Sequence, residues 1–195
     1  MAEYFPVFIK TDPMDRVIMI GGGRTALGKL RVLMQFDIGI VLIAPNICDD
    51  IMDISDDRLT IVKEKYRSGM LETYKDHAVF VIAATDDPCI NSEIHKECRE
   101  LGLLLNSVDD VSRCDIIFPS ILKRGSVVAT VSSGGKCPVI TQYLRDGLAE
   151  IIPDDIEEIA DELQTMRDEL KEMVPDHKQR AGILRDELTR LLEER

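Results

Sequence analysis

Three short stretches carry side chains at spacings that suit chemistry. In Gly21-Gly22-Gly23-Arg24-Thr25-Ala26, the pattern Gly-x-Gly-x-x-Ala matches a dinucleotide fingerprint with alanine in its third place. There the first glycine, Gly21, permits a tight turn, the second, Gly23, lets backbone approach a pyrophosphate, and a small Ala26 lets helix and strand pack closely. Backbone N–H groups at the helix start then face the phosphates. In Asn106-Ser107-Val108-Asp109-Asp110, Asp109 follows an apolar strand-like run, where a carboxylate can serve as general base or as a turn cap. Thr85-Asp86-Asp87 has the same double reading, and Asp86 fits equally as the cap of the next helix.

These stretches need elements to hold them, and the apolar pattern supplies them. Val17–Ile20 is a short apolar run entering the glycines, Arg24–Phe36 has helical spacing, and Ile40–Ala44 is a second apolar run. That is one β-α-β unit with a right-handed crossover. Leu59–Lys65 and Ala78–Ala84 read as further strands, Asn91–Leu101 as a helix and Leu103–Leu105 as a fifth strand. Strands alternating with helices predict an α/β Rossmann-type, doubly wound parallel sheet over 1–112. Ile116–Leu122 and Ser126–Ser132, separated by Lys123-Arg124-Gly125, predict a hairpin within a small β-rich segment, 113–150, that ends in a helix from Val139 to about Ile151. In 151–195 the apolar residues recur at helical spacing on either side of Pro175, which predicts a C-terminal helical domain.

Composition narrows the class. With 45% hydrophobic and 31% charged residues, the 195-residue chain is globular, and no apolar run reaches the roughly 18–20 residues of a membrane span. The start of the chain has no leader-like pattern, so a cytoplasmic location is expected. A net charge of −12 argues against nucleic acid. The middle segment alone is basic, with 5 cationic and 3 anionic side chains in 113–150. Cys48, Cys89, Cys98, Cys114 and Cys137 form no CxxC pair, which predicts reduced thiols, and His77, His95 and His177 lack ligand spacing, so no metal site is expected. The acid that usually follows the second strand to hold a ribose is replaced by Ala44-Pro45-Asn46, which leaves NAD and NADP open. There is no Tyr-x-x-x-Lys pair and no Gly-x-x-x-x-Gly-Lys-Ser/Thr loop, which removes short-chain dehydrogenases and P-loop ATPases.

The order of motifs resembles the precorrin-2 dehydrogenase / sirohydrochlorin ferrochelatase family, found also as the N-terminal module of siroheme synthase. The matching stretches are Tyr4-Phe5-Pro6-Val7-Phe8, GGGRTA with Lys29 and Arg31, IAPN at 43–46, IAATDD at 82–87 with Asn91, NSVDD at 106–110, IIFPSILKRG at 116–125 and VSSGGKCPVI at 131–140. The resemblance implies a Rossmann domain, a dimerisation segment and a helical domain, a homodimer, and NAD-dependent oxidation of precorrin-2 to sirohydrochlorin with Asp109 as general base. It implies NAD contacts at Gly22, Gly23, Arg24, Thr25, Pro45 and Asn46, with Thr85 and Asp86 near the nicotinamide. It also implies that Asn106, Lys123, Arg124, Ser133, Lys136 and Arg145 receive the polycarboxylate macrocycle. Two departures concern this last set: Cys137 stands where family members usually have serine, and Gln142 where they often have arginine. A bifunctional enzyme that also inserts Fe²⁺, with Asp109 or His95 as base, is the second expectation; an NAD-sensing module without catalysis is the third.

Overall fold

The structure is a computed structural model that describes residues 4–194. Strands β1 (Arg16–Ile20), β2 (Gly39–Ile43), β3 (Leu59–Val62), β4 (Ala78–Ala83) and β5 (Leu105–Ser107) form one parallel sheet in the order β3-β2-β1-β4-β5. The sequences RVIMI, GIVLI and AVFVIA are unbroken apolar runs, as strands covered on both faces require. Successive side chains point to opposite faces. Val17 and Met19 therefore join Leu30, Ile40, Leu42 and Ile82 in one core, while Ile18 and Ile20 join Val41, Ile43, Ile94 and Leu105 in the other. Each fully buried Ile or Leu contributes about 1.5–3 kcal/mol relative to exposure.

Helix α1 (Arg24–Leu33) seals the first core through Ala26, Leu27, Leu30 and Leu33. A one-turn helix α2 (Asp49–Met52), absent from the sequence reading, adds Ile51 to it. Helix α3 (Pro88–Leu101) seals the second core through Ile94 and Cys98. With helices on both faces of a parallel sheet, the expected doubly wound α/β fold is observed. Across this unit, Tyr66 and the backbone N–H of Leu71 both donate to the buried carboxylate of Glu97, which ties the loop after β3 to α3.

Further along, β6 (Ser120–Arg124) and β7 (Val127–Val131) form an antiparallel hairpin. Its two-residue turn is Gly125-Ser126, with Gly125 at φ +58, the kind of position that favours glycine. The Glu157 carboxylate accepts from the N–H and hydroxyl of Ser126, clamping the tip. Helix α4 (Pro138–Ile151) opens on a proline, and α5 (Ile156–Met173) and α6 (His177–Glu193) form the expected hairpin around Pro175. Arg180 donates to the carbonyls of Val174 and Pro175 at 2.6 and 2.9 Å, satisfying acceptors that the end of α5 leaves open.

Several boundaries differ from the sequence reading, for local reasons. The first helix stops at Leu33 because Gln35 and Phe36 donate to Val32 and Leu33, a tighter three-residue pattern. The third strand ends at Val62, whose carbonyl accepts from Glu64. The fifth strand begins at Leu105, because the N–H of Leu103 is spent on the carbonyl of Cys98 at the end of α3. The first hairpin strand begins at Ser120, since Asp115 and Ile116 both donate back to Leu105 and Pro119 has no N–H. Lys123 and Arg124, read as loop, are strand residues. By compactness the chain divides into two units, one running to Phe118 and including Gly134–Lys136, the other comprising Pro119–Ser133 and the chain from Cys137 onward. Most of 113–150 therefore shares a unit with the C-terminal helices.

Candidate functional site

In an open parallel sheet, ligands sit beyond the carboxyl ends of the strands, where connections depart to opposite sides. Here that point lies between β1 and β4, because β2 and β3 extend the sheet on one side and β5 on the other. The glycine run, Ala44-Pro45-Asn46, Thr85-Asp86-Asp87 and Val108-Asp109 leave β1, β2, β4 and β5 at this edge.

The three glycines have distinct tasks. Gly21 has φ +122, and a Cβ there would stand 2.2 Å from the Ala84 carbonyl oxygen. A Cβ on Gly22 would stand 2.5 Å from the Asn46 carbonyl oxygen, so this position, treated as variable in the fingerprint, is also held to glycine by packing. At Gly23 a Cβ would meet nothing within 4 Å. Gly23 starts α1 with no side-chain cap and no acidic residue in the first turn. Exposed N–H groups at a positive helix end, reached over bare backbone, fit a dinucleotide pyrophosphate. Ala26 is fully buried against the sheet, as the third place of the fingerprint demands. Arg24, Thr25, Pro45 and Asn46 are exposed along the same edge.

At the end of β4, Asp87 rather than Asp86 caps α3, accepting from the N–H groups of Cys89 and Ile90 at 2.9 and 3.3 Å. Asp86 is exposed and takes no part in the cap. The Thr85 hydroxyl donates to Asn91 Oδ1 at 2.6 Å, and Asn91 Nδ2 donates to the Thr85 carbonyl at 3.1 Å. Asn91 is buried and reaches Asp109 as well.

Asp109 is exposed on the turn after β5, and the Ser107 hydroxyl donates to its Oδ1 at 2.5 Å. Partial burial pushes its carboxyl up, but hydrogen bonds from Ser107 and Asn91, helped by the Arg113 guanidinium, outweigh this and hold it below the usual carboxylate range. Asp109 is therefore ionised at neutral pH, oriented, and open to solvent. No task was assigned from the sequence to Ser107 or Asn91. The available signal was local, since serine two residues before an aspartate is a common turn pairing.

The residues expected to receive the macrocycle are differently placed. Asn106 is buried, and its Nδ2 donates to the Ile116 carbonyl at 3.1 Å, a role in holding the chain after β5 rather than an exposed contact. Lys136 is exposed within the first unit. In the second unit, Arg124 pairs with Asp154 at 2.7 Å, Arg145 with Asp146 at 2.5 Å, and Lys123 donates to the Gly125 carbonyl at 2.6 Å. The Ser133 hydroxyl accepts from the Cys137 N–H at 2.9 Å, closing its own turn. All five cysteines are free.

This sheet order and glycine turn define a Rossmann-type nucleotide-binding fold. A family model for NAD(P)-binding proteins matches residues 8–120, and the chain belongs to that family. It is similar to siroheme synthase 2 of Aeromonas hydrophila subsp. hydrophila, 35% identical over 159 residues, covering 82% of this chain and 33% of the relative. To the siroheme synthase of Psychrobacter cryohalolentis it is 36% identical over 157 residues, covering 80% and 29%. The chain thus spans about a third of the length of these relatives. Among solved structures, SirC, a precorrin-2 dehydrogenase, superposes with a TM-score of 0.64 at 17% identity, covering 97% of this chain and 100% of that one, which marks the shared fold. The resemblance read from the motifs is borne out. No helix among the described residues is long and apolar enough to cross a membrane.

Proposed function

We propose that this chain is an NAD-dependent dehydrogenase of the cytoplasm that oxidises precorrin-2 to sirohydrochlorin. The observation that carries the reading is Asp109, ionised and held by Ser107 and Asn91 at the carboxyl edge of a sheet whose glycine turn leaves room for a pyrophosphate. Gly21, Gly22, Gly23 and the first turn of α1 would hold the diphosphate, and Asn46 the adenosine ribose. Asp49 and Asp50, on the first turn of α2, would repel a ribose 2′-phosphate, which favours NAD over NADP. Bound there, the nicotinamide supplies a hydride acceptor.

One C–H bond at a bridging carbon of the macrocycle breaks with its electron pair leaving as hydride, and a pyrrole N–H loses a proton as the conjugated system extends. Asp109 takes that proton. Loss of hydride leaves the ring system electron-poor and its pyrrole N–H acidic, so a carboxylate of modest basicity is sufficient. Lys136 supplies an exposed cation to the substrate carboxylates. Incubation with precorrin-2 and NAD is expected to give the sirohydrochlorin spectrum, and Asp109→Ala to lower turnover by about 10²–10⁴-fold with NAD affinity retained. Undiminished turnover in that variant overturns the role of Asp109.

The same reading includes a homodimer. Val139, Ile140, Tyr143, Leu144 and Ile151 on α4 are exposed, Tyr143 by 77% and Ile151 by 76%, beside a hairpin of only two strands. Such a face is normally covered by a partner. Tyr143→Glu is expected to shift the sedimentation coefficient from dimer to monomer; a wild-type protein that sediments as a monomer at all concentrations refutes this assembly.

A further inference from the structure

Lys29 stands on α1, six residues beyond Gly23, and is half-buried. Its ammonium lies 4.4 Å from the centroid of the Phe118 ring, and no carboxylate among the described residues pairs with it. Cys114 acts on it electrostatically. The Cys114 thiol accepts from the Ser107 N–H and donates to the Ser107 carbonyl, both at 3.2 Å, so Cys114 links the surroundings of Lys29 to the residue whose hydroxyl orients Asp109.

Removing an ammonium from water without a counter-anion is unfavourable, and the ring face recovers only part of that loss. Burial pushes the Lys29 ammonium down to about 8, with the nearby Cys114 acting in the opposite direction. Methionine would fill the same space against Phe118 without a charge to desolvate. A charge kept under such conditions is a mark of a functional site. The nucleotide diphosphate is already served by the N–H groups at the start of α1, about 9 Å back along the helix axis. The anion left for Lys29 is one on the substrate side.

We propose that Lys29 binds a carboxylate of the tetrapyrrole and is a positioning residue that fixes the macrocycle beside Asp109. The inference rests on the dehydrogenase reading above. The titratable groups around it are Cys114, whose thiol burial pushes up, and beyond it Asp110, Asp115 and Tyr4. Binding a carboxylate favours the ammonium form, so affinity is complete below the free-state value and declines as pH rises through it.

Sirohydrochlorin and, separately, NAD are titrated by fluorescence into the wild-type chain, Lys29→Met and Lys29→Arg, with thermal denaturation of each. In Lys29→Met, sirohydrochlorin is expected to bind about 10- to 100-fold more weakly, with NAD affinity unchanged and the melting temperature equal or higher. Lys29→Arg is expected to restore most of the affinity. Wild-type affinity should fall about tenfold between about pH 7 and about pH 9, a dependence that Lys29→Met lacks. Sirohydrochlorin affinity unchanged in Lys29→Met overturns the inference and leaves the dehydrogenase reading standing. A loss of NAD binding instead assigns Lys29 to the nucleotide, and a lowered melting temperature that arginine does not rescue makes it a packing residue; either result overturns it. A wild-type chain that binds no sirohydrochlorin overturns both.

Discussion

Gly21 and Gly23 make opposite predictions for the same change to alanine. At Gly21 the backbone sits at φ +122, where a side chain costs about 1–3 kcal/mol. The new Cβ would also lie 2.2 Å from the Ala84 carbonyl oxygen, a backbone atom fixed at the end of β4. Relieving an overlap of this kind costs about another 1–3 kcal/mol. Gly21→Ala should therefore lose about 2–6 kcal/mol, a large part of the roughly 5–15 kcal/mol that holds a protein of this kind together. For a chain of this size, about 2–4 °C per kcal/mol translates this into a melting temperature lower by roughly 4–24 °C. At Gly23 nothing lies within 4 Å of the added Cβ and φ is −91, so only the poorer cap remains, at no more than about 1 kcal/mol. Gly23→Ala should melt close to wild type and yet bind NAD weakly by calorimetric titration, since the methyl occupies the space through which a pyrophosphate approaches. A Gly21→Ala protein that melts with wild type refutes the close approach to Ala84. Full NAD affinity in Gly23→Ala refutes the assignment of that space.

Two further changes probe the side chains around the site and the core. Ser107→Ala removes a hydrogen bond that holds the Asp109 carboxyl down, so the acid limb of the kcat/KM profile should move to higher pH; a limb that stays in place shows that Ser107 does not tune Asp109. Because the Asp109 carboxyl is lowered by folding, its contribution to stability is present above the unfolded value and lost as pH falls through the folded one, and Ser107→Ala should shrink that acid-sensitive part. Tyr66→Phe leaves the buried Glu97 carboxylate with the Leu71 N–H as its one hydrogen-bond donor among the described residues, which should cost about 1–3 kcal/mol in urea denaturation. A change smaller than a few tenths would mean that water takes the place of the hydroxyl.

The sheet was legible because strands covered on both faces write themselves as unbroken runs such as AVFVIA, and the glycine turn because its steric demands fall on residues next to one another. What was not legible depends on hydrogen bonds between distant residues. Whether Leu103 begins a strand depends on the carbonyl of Cys98, and whether Ile116 does depends on that of Leu105. At the site, Asp109 was found from its place after a strand. Its support from Asn91, eighteen positions earlier and on another element, needed the fold to bring the two together. The inward hydrogen bond of Asn106 to the Ile116 carbonyl was not legible, because a polar side chain beside an exposed aspartate gives no sign of it. Lys29 was visible only as part of the matching glycine stretch, with no role attached, since a lysine between Leu27 and Leu30 of an amphipathic helix reads as solvent-facing.

The path of the chain bears on how the molecule can be cut. It leaves the nucleotide-binding unit at Phe118 and returns for Gly134–Lys136 before leaving again. That brief return matters to packing, because a Cβ on Gly135 would stand 2.9 Å from Val111, on the segment just after Asp109. A fragment ending at Phe118 would keep every strand of the parallel sheet but lose the piece that rests on Val111. Shuffling this module at a single crossover point would therefore carry the glycine turn intact and leave the segment beside the carboxylate without its cover. Modularity here belongs to three dimensions and not to a stretch of linear sequence.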